Sequence, residues 1–178
     1  DAFRSRREAL NWEDFRWLRE LWPHKLLVKG IMRADDALTA AENGADGVFI
    51  SNHGGRALDG ALSPIEALPA IRAAVGKRLT LMLDSGIRRG SDVVKALALG
   101  ADMAFVGRAT LYGIAAGGEA GAAHAIDILR TEVDRVMAML GCPSISDLTV
   151  DCLACGDPDL LQRILASEGA DAKRVRVI

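Results

Sequence analysis

A histidine and an arginine share one short glycine-rich run, Ser51-Asn52-His53-Gly54-Gly55-Arg56. An imidazole titrates near neutrality and can take a proton from a hydroxyl or an adjacent carbon. A guanidinium is a planar fork that can hold a carboxylate through two hydrogen bonds. Placed this close, His53 and Arg56 can flank one small anionic substrate, and the two glycines leave the loop open to a flat ring. Taken alone, the four residues also fit a plain turn with a solvated arginine.

Three other polar groups interrupt the chain in the same way, each where an apolar run stops. Lys29 follows Leu26-Leu27-Val28. Asp84-Ser85-Gly86-Ile87-Arg88-Arg89-Gly90 follows Leu79-Thr80-Leu81-Met82-Leu83. Gly107-Arg108 follows Met103-Ala104-Phe105-Val106. The last two segments combine glycine, which lets backbone N–H groups approach an anion, with arginine, whose geometry suits phosphate. They point to a phosphate-bearing ligand without specifying a reaction. His24 and His124 have no such partners and read as ordinary histidines.

The elements that must position these groups alternate. The apolar runs Leu26–Lys29, Gly47–Ser51, Leu79–Asp84 and Met103–Gly107 read as strands buried on both faces. Between them lie helical patterns: Ala34 to Asn43, stopped by Gly44; Ser63-Pro64 opening a helix to Val75; Ser91 opening one that ends at Gly100; and Ala122 to Leu140, closed by Gly141. Gly44-Ala45-Asp46 recurs as Gly100-Ala101-Asp102, each just ahead of a strand, so the chain reads as two copies of a (β/α)₂ unit. The expected fold is α/β, the C-terminal half, about strands 5–8, of a (β/α)₈ TIM barrel. Such barrels carry their active sites at the C-terminal ends of the strands, often with phosphate on the loops after strands 7 and 8. Four strands leave open edges and an uncovered inner face, so a complementary N-terminal half is expected. The first 25 positions, with Trp12, Phe15, Trp17, Leu18, Leu21 and Trp22, read as a helix whose apolar face packs on the barrel.

Composition narrows the class. The chain has 178 residues, a hydrophobic fraction of 50% and a net charge of −2, which excludes a strongly basic nucleic-acid binder. No apolar run reaches the roughly 20 residues of a membrane helix, and the charged opening has no signal-peptide pattern. Cys142, Cys152 and Cys155 suit no disulfide framework, and Cys152-Leu153-Ala154-Cys155 lacks the further ligands of a zinc site, so they read as ordinary thiols in a reducing, cytoplasmic setting. No metal is expected.

The motif set Leu27-Val28-Lys29-Gly30, Ser51–Arg56, Asp84–Gly90, Lys95–Ala101 and Gly107-Arg108 resembles the FMN-dependent 2-hydroxy-acid oxidase and dehydrogenase family, over residues 9 to 155. Trp22–Gly30 and Gly107–Gly113 are most similar to its mandelate-oxidising members. The resemblance implies FMN as cofactor and oxidation of a mandelate- or lactate-like L-2-hydroxy acid to the 2-keto acid. By that likeness His53 is the base, Arg56 the carboxylate clamp, and Lys29 stands by the flavin ring. Ser51 and Asp84 hold the flavin, and Ser85, Gly86, Ile87, Arg88, Gly107 and Arg108 form its phosphate side. It also implies a homotetramer and, through a loop at or before residue 1, peripheral association with the inner membrane. The basic Arg4-Ser5-Arg6-Arg7 is either a remnant of that loop or a solvated one.

Two departures stand out. Ala57 replaces the glutamine usual after His-Gly-Gly-Arg, and the family's active-site tyrosines, second substrate arginine and histidine-orienting aspartate belong to the first half of the barrel. Residues 156–178 match nothing in the family and read as an appendage. Two other readings stay open: a flavin-bound isomerase of the same fold, and a barrel that binds FMN or a phosphate metabolite without redox chemistry.

Overall fold

Short apolar runs separated by helices have one economical solution, a parallel sheet with its crossovers on one face. The computed structural model describes residues 10–154 and has this arrangement. Four strands, β1 (Leu27–Ile31), β2 (Gly47–Ile50), β3 (Thr80–Leu83) and β4 (Met103–Ala104), pair in parallel in sequence order. Helix α1 (Trp12–Leu21) precedes β1; α2 (Ala34–Glu42), α3 (Pro64–Val75) and α4 (Gly90–Ala98) are the crossovers; α5 (Arg108–Leu140) follows β4.

The core lies between the sheet and the crossovers. Val48 and Ile50 of β2 and Leu81 and Leu83 of β3 are fully buried against Ala37 and Ala40 of α2 and Leu68, Ile71 and Val75 of α3. Burying each large side chain contributes roughly 1.5–3 kcal/mol. The period of two puts Phe49, Met82 and Met103, which are register partners, on the opposite face. There the Phe49 and Phe105 rings lie 4.7 Å apart.

Continuous burial, expected of all four strands, is met fully by none and approached by β2 and β3, where Phe49 is half-buried and Thr80 exposed. Leu27 on β1 is 39% exposed and Met103 on β4 is 50% exposed. Among the described residues each edge strand has a neighbour on one side only. Strand β4 is also shorter than its apolar run, ending at Ala104.

The helices depart from expectation at two places. In α1, capped by Asn11 with Asp14 completing the capping box, the inward stripe is Trp12, Phe15 and Arg19. Trp12 and Phe15 rest on the core, whereas Trp17, Leu18, Leu21 and Trp22 fall off this stripe and are exposed. The apolar face expected to pack as a whole therefore packs in part. The last helix begins at Arg108, well before Ala122, because two arms join at Gly117 and Gly118, whose backbone is non-helical. The arms cross so closely that a Cβ on Gly121 would lie 2.0 Å from the Gly113 carbonyl oxygen. Cys142 and Cys152 are free thiols with sulfurs 3.7 Å apart. Cys155, the Arg4–Arg7 segment and the 156–178 appendage lie outside the described residues. Among the described residues no helix is long and apolar enough to cross a membrane.

Two matching ionic clips hold the repeat together. Arg72 of α3 is 8% exposed and donates to Asp102 Oδ2 at 2.6 Å, to the Gly100 carbonyl at 2.8 Å and to the Gly76 carbonyl. Asp102 Oδ2 also accepts the Leu81 N–H at 2.8 Å. Arg19 of α1 likewise donates to Asp46 Oδ2 at 3.0 Å and to the Gly44 carbonyl, while Asp46 accepts the Leu26 N–H at 2.8 Å. Lys25 and the Leu26 amide hold the Asp46 carboxyl at a pKa of about 2, below the ordinary range. Arg72→Met is expected to destabilise the full-length protein by about 3 kcal/mol, the low end for a broken buried pair because Asp102 stays partly hydrated. Urea unfolding measures it, and a loss under about 1 kcal/mol would class the clip with ordinary surface ion pairs.

Candidate functional site

Parallel register carries the polar residues of the strand ends to one rim. On β1, Lys29 precedes a bulge at Gly30, whose φ is +95°. On β2, Ser51 follows the last strand residue and is 1% exposed. On β3, Asp84 does the same. The Lys29 ammonium reaches across all three, donating to Ser51 Oγ at 2.8 Å and to Asp84 Oδ2 at 2.5 Å. It also stands 5.3 Å from the centre of the Phe49 ring. Burial pushes the Asp84 carboxyl up, but hydrogen bonds from Lys29, Ser51 and Ser85 and the Lys29 charge outweigh it and leave its pKa lowered. Lys29, Ser51 and Asp84 are therefore one charged cluster.

The His53 turn hangs on this cluster. A single 3₁₀ turn spans His53–Gly55, and the His53 N–H donates to Ser51 Oγ at 3.2 Å. Asn52 closes the turn by accepting the Gly55 N–H at 3.1 Å and donating to the Leu62 carbonyl. Arg56 Nε donates to the His53 carbonyl at 3.2 Å, which ties the two candidate substrate groups together. His53 and Arg56 are both exposed.

The glycine-arginine loops stand beside it. Ile87 packs against the core and anchors the first loop, leaving Gly86 and Arg88 at the surface. The Arg88 and Arg89 amides are already taken by the Asp92 carboxylate. Gly107 opens α5, whose N-terminus has no side-chain cap and so keeps N–H groups available to an anion. Arg108 reaches back to the Gly54 carbonyl at 3.5 Å. Among the described residues, Arg56, Arg88 and Arg108 form no ion pair, unlike Arg16, Arg19, Arg33, Arg72 and Arg89. A Cβ built on Gly86, where φ is +90°, or on Gly107 meets nothing within 4 Å. Open space flanked by uncommitted guanidinium groups fits a phosphomonoester. A charged cavity of about 540 Å³ beside Arg19, His24, Lys25 and Asp46 sits at the other end of β1. Its Arg19 and Lys25 are both paired with Asp46.

Two supporting roles were not evident from the motifs. Asn52 is the brace of the His53 turn. Gly30 makes room for the imidazole: a Cβ there would approach His53 Cε1 to 3.1 Å. Residue types at strand ends could have flagged Asn52, a frequent turn former, but nothing local to Gly30 points to a residue on the next strand.

Comparison with known proteins identifies the family. The family model described as FMN-dependent dehydrogenase matches residues 2–155. The chain is 55% identical over 145 residues to (S)-mandelate dehydrogenase of Pseudomonas putida, covering 82% of this chain and 36% of that protein. It is 48% identical over 145 residues to L-lactate oxidase of Nostoc sp., covering 82% and 40%. The crystal structure of monotopic membrane protein (S)-mandelate dehydrogenase superposes with a TM-score of 0.78 at 55% identity, over 80% of this chain and 38% of that one. The chain thus spans well under half the length of these relatives.

Gly30→Ala is expected to cost about 1–2 kcal/mol, because an alanine is strained at positive φ, and to displace the His53 imidazole. Urea unfolding and the His53 ring-proton resonances measure the two effects. Unperturbed resonances would mean the ring does not depend on the space at Gly30.

Proposed function

This chain belongs to the FMN-dependent dehydrogenase family, and from that premise we propose that the whole protein oxidises a mandelate- or lactate-like L-2-hydroxy acid to the 2-keto acid. The observation that carries the reading is the His53–Arg56 turn, held beside Lys29 through Ser51 and reached by Arg108, which forms no ion pair among the described residues. The names of the relatives, one acting on mandelate and one on lactate, support the substrate class.

The roles follow from the chemistry of each side chain. Arg56 pairs with the substrate carboxylate through its fork, which fixes the hydroxyl-bearing carbon against His53. His53 accepts the proton released as that carbon is oxidised. FMN, when bound, supplies the two-electron acceptor. Lys29, already the centre of a charged cluster, offers positive charge to the ring, and Ser51 and Asp84 hold the cofactor beside it. Ser85, Gly86, Ile87 and Arg88 on one side, and Gly107 and Arg108 on the other, embrace the phosphate. Residues 1–155 make up the C-terminal half of the barrel in this reading, with 156–178 as an appendage. The complementary N-terminal half supplies the remaining substrate contacts, and the assembly is a homotetramer by analogy with the family. Peripheral membrane attachment is supported by the monotopic relative; its placement on the inner membrane rests on analogy with the family.

The test is anaerobic spectroscopy of the full-length protein. Adding L-mandelate or L-lactate is expected to bleach an oxidised flavin spectrum. His53→Gln should retain flavin yet slow its reduction by about 10²–10⁴-fold, the usual contribution of a general base. Arg56→Lys should lower kcat/KM by roughly 10–100-fold through loss of charge-assisted hydrogen bonds. A flavin that stays oxidised with every 2-hydroxy acid would support an isomerase or a binding module instead. Rapid reduction in the His53 variant would remove it as the base.

A further inference from the structure

Among the described residues, His53 and Ser85 are the two non-glycine residues with positive φ, at +58° and +71°. L-residues rarely hold this backbone, and its occurrence at a site points to constraint from outside the residue. Both lie just past the ends of neighbouring strands, and a hydrogen bond joins their loops. The Gly54 N–H donates to Ser85 Oγ at 2.9 Å, and Ser85 Oγ donates to Asp84 Oδ1 at 2.8 Å. Asp84 Oδ2 in turn receives Lys29. The hydroxyl is thus engaged as donor and acceptor between the charged cluster and the His53 turn.

The turn needs such an anchor. His53, Gly54 and Gly55 run consecutively at positive φ, and two of the three are glycines, so local sterics alone do not hold the imidazole in one place. The other links are weaker or internal. The His53 N–H reaches Ser51 Oγ at 3.2 Å, two residues back on the same strand end, and Arg108 reaches the Gly54 carbonyl at 3.5 Å; the Asn52 and Arg56 contacts, to Gly55, Leu62 and His53, stay on the turn's own side.

We propose that Ser85 is a positioning residue: its hydroxyl latches the His53 turn to the Lys29–Asp84 cluster and so sets the base against the flavin side of the site. This rests on the proposed 2-hydroxy-acid oxidation for the role of His53, whereas the latch itself does not. Ser85 then acts through His53, in addition to any contact its loop makes with phosphate.

The experiment uses the full-length holoenzyme with Ser85→Ala and Ser85→Gly. Both remove the hydroxyl, but glycine accepts a φ of +71° freely, so the second variant keeps the fold if the first does not. In both, hydrogen exchange of residues 52–56 is expected to accelerate. Anaerobic flavin reduction at saturating acid is expected to slow about 10–100-fold, the scale of an ångström-sized misplacement. The FMN dissociation constant is measured alongside and reduction is read with FMN saturating, so that any phosphate contact made by the Ser85 loop is separated from the latch. Unchanged exchange in 52–56 overturns the latch, as does a glycine variant that reduces its flavin at the wild-type rate. A rate loss that vanishes at saturating FMN overturns it too, because Ser85 then acts only through cofactor occupancy. If wild-type flavin is not reduced by any 2-hydroxy acid, the proposed function fails, and hydrogen exchange still decides the latch.

Discussion

One carboxylate per repeat sets the register on which everything else depends. Asp46 takes the Leu26 N–H at the start of β1 and leads directly into β2; Asp102 takes the Leu81 N–H in β3 and leads into β4. Each aspartate therefore fixes where two neighbouring strands begin relative to one another. The strands are four or five residues long at most, so fixing their starts also fixes their ends. A slip of one residue would turn every side chain to the opposite face, and Lys29, Ser51 and Asp84 would no longer meet. The arginines of α1 and α3 complete the clips by holding helix, glycine turn and strand start together.

At the far ends of the strands this order is converted into charge. Lys29 is drawn between Ser51 and Asp84, and the pair lowers the Asp84 pKa against the effect of burial. The Asp84 carboxylate therefore stays ionised at neutral pH. Its contribution is complete above the ordinary aspartate range and is lost as pH falls through the lowered Asp84 value. A rigid ionic platform of this kind suits the proposed function, in which an electron-accepting ring and a small carboxylate are held in fixed relation. The positive-φ backbone at His53 and Ser85 is the local cost of bringing the two loops together.

The two faces of the sheet have different tasks. One is packed by α2 and α3 into a dry core. The other presents Phe49, Met82, Met103 and Phe105, with Met103 and Phe105 well exposed, and is the face that a closed barrel covers. That difference accounts for the departure from uniformly buried strands, and it matches a chain that spans well under half the length of its relatives.

From its own residues the chain determined the number, order and parallel sense of the strands, the crossover helices and the group of residues on the rim. These depend on hydrophobic period and capping chemistry, which neighbouring residues carry: Ser63, Pro64 and Glu66 announced α3, and the capping box is there. The His-Gly-Gly-Arg run and the glycine-arginine loops were legible for the same reason, since each is a contiguous segment. The partial packing of α1 and the early start of α5 were not, because aromatic content hid the narrow Trp12–Phe15–Arg19 stripe and Gly117-Gly118 hid the reversal. Only the tertiary structure decided that Arg72 meets Asp102, that Gly30 clears space for His53, and that Ser85 holds Gly54. Those contacts join residues far apart in the chain, and no local pattern encodes a distance that exists only after the strands are set side by side.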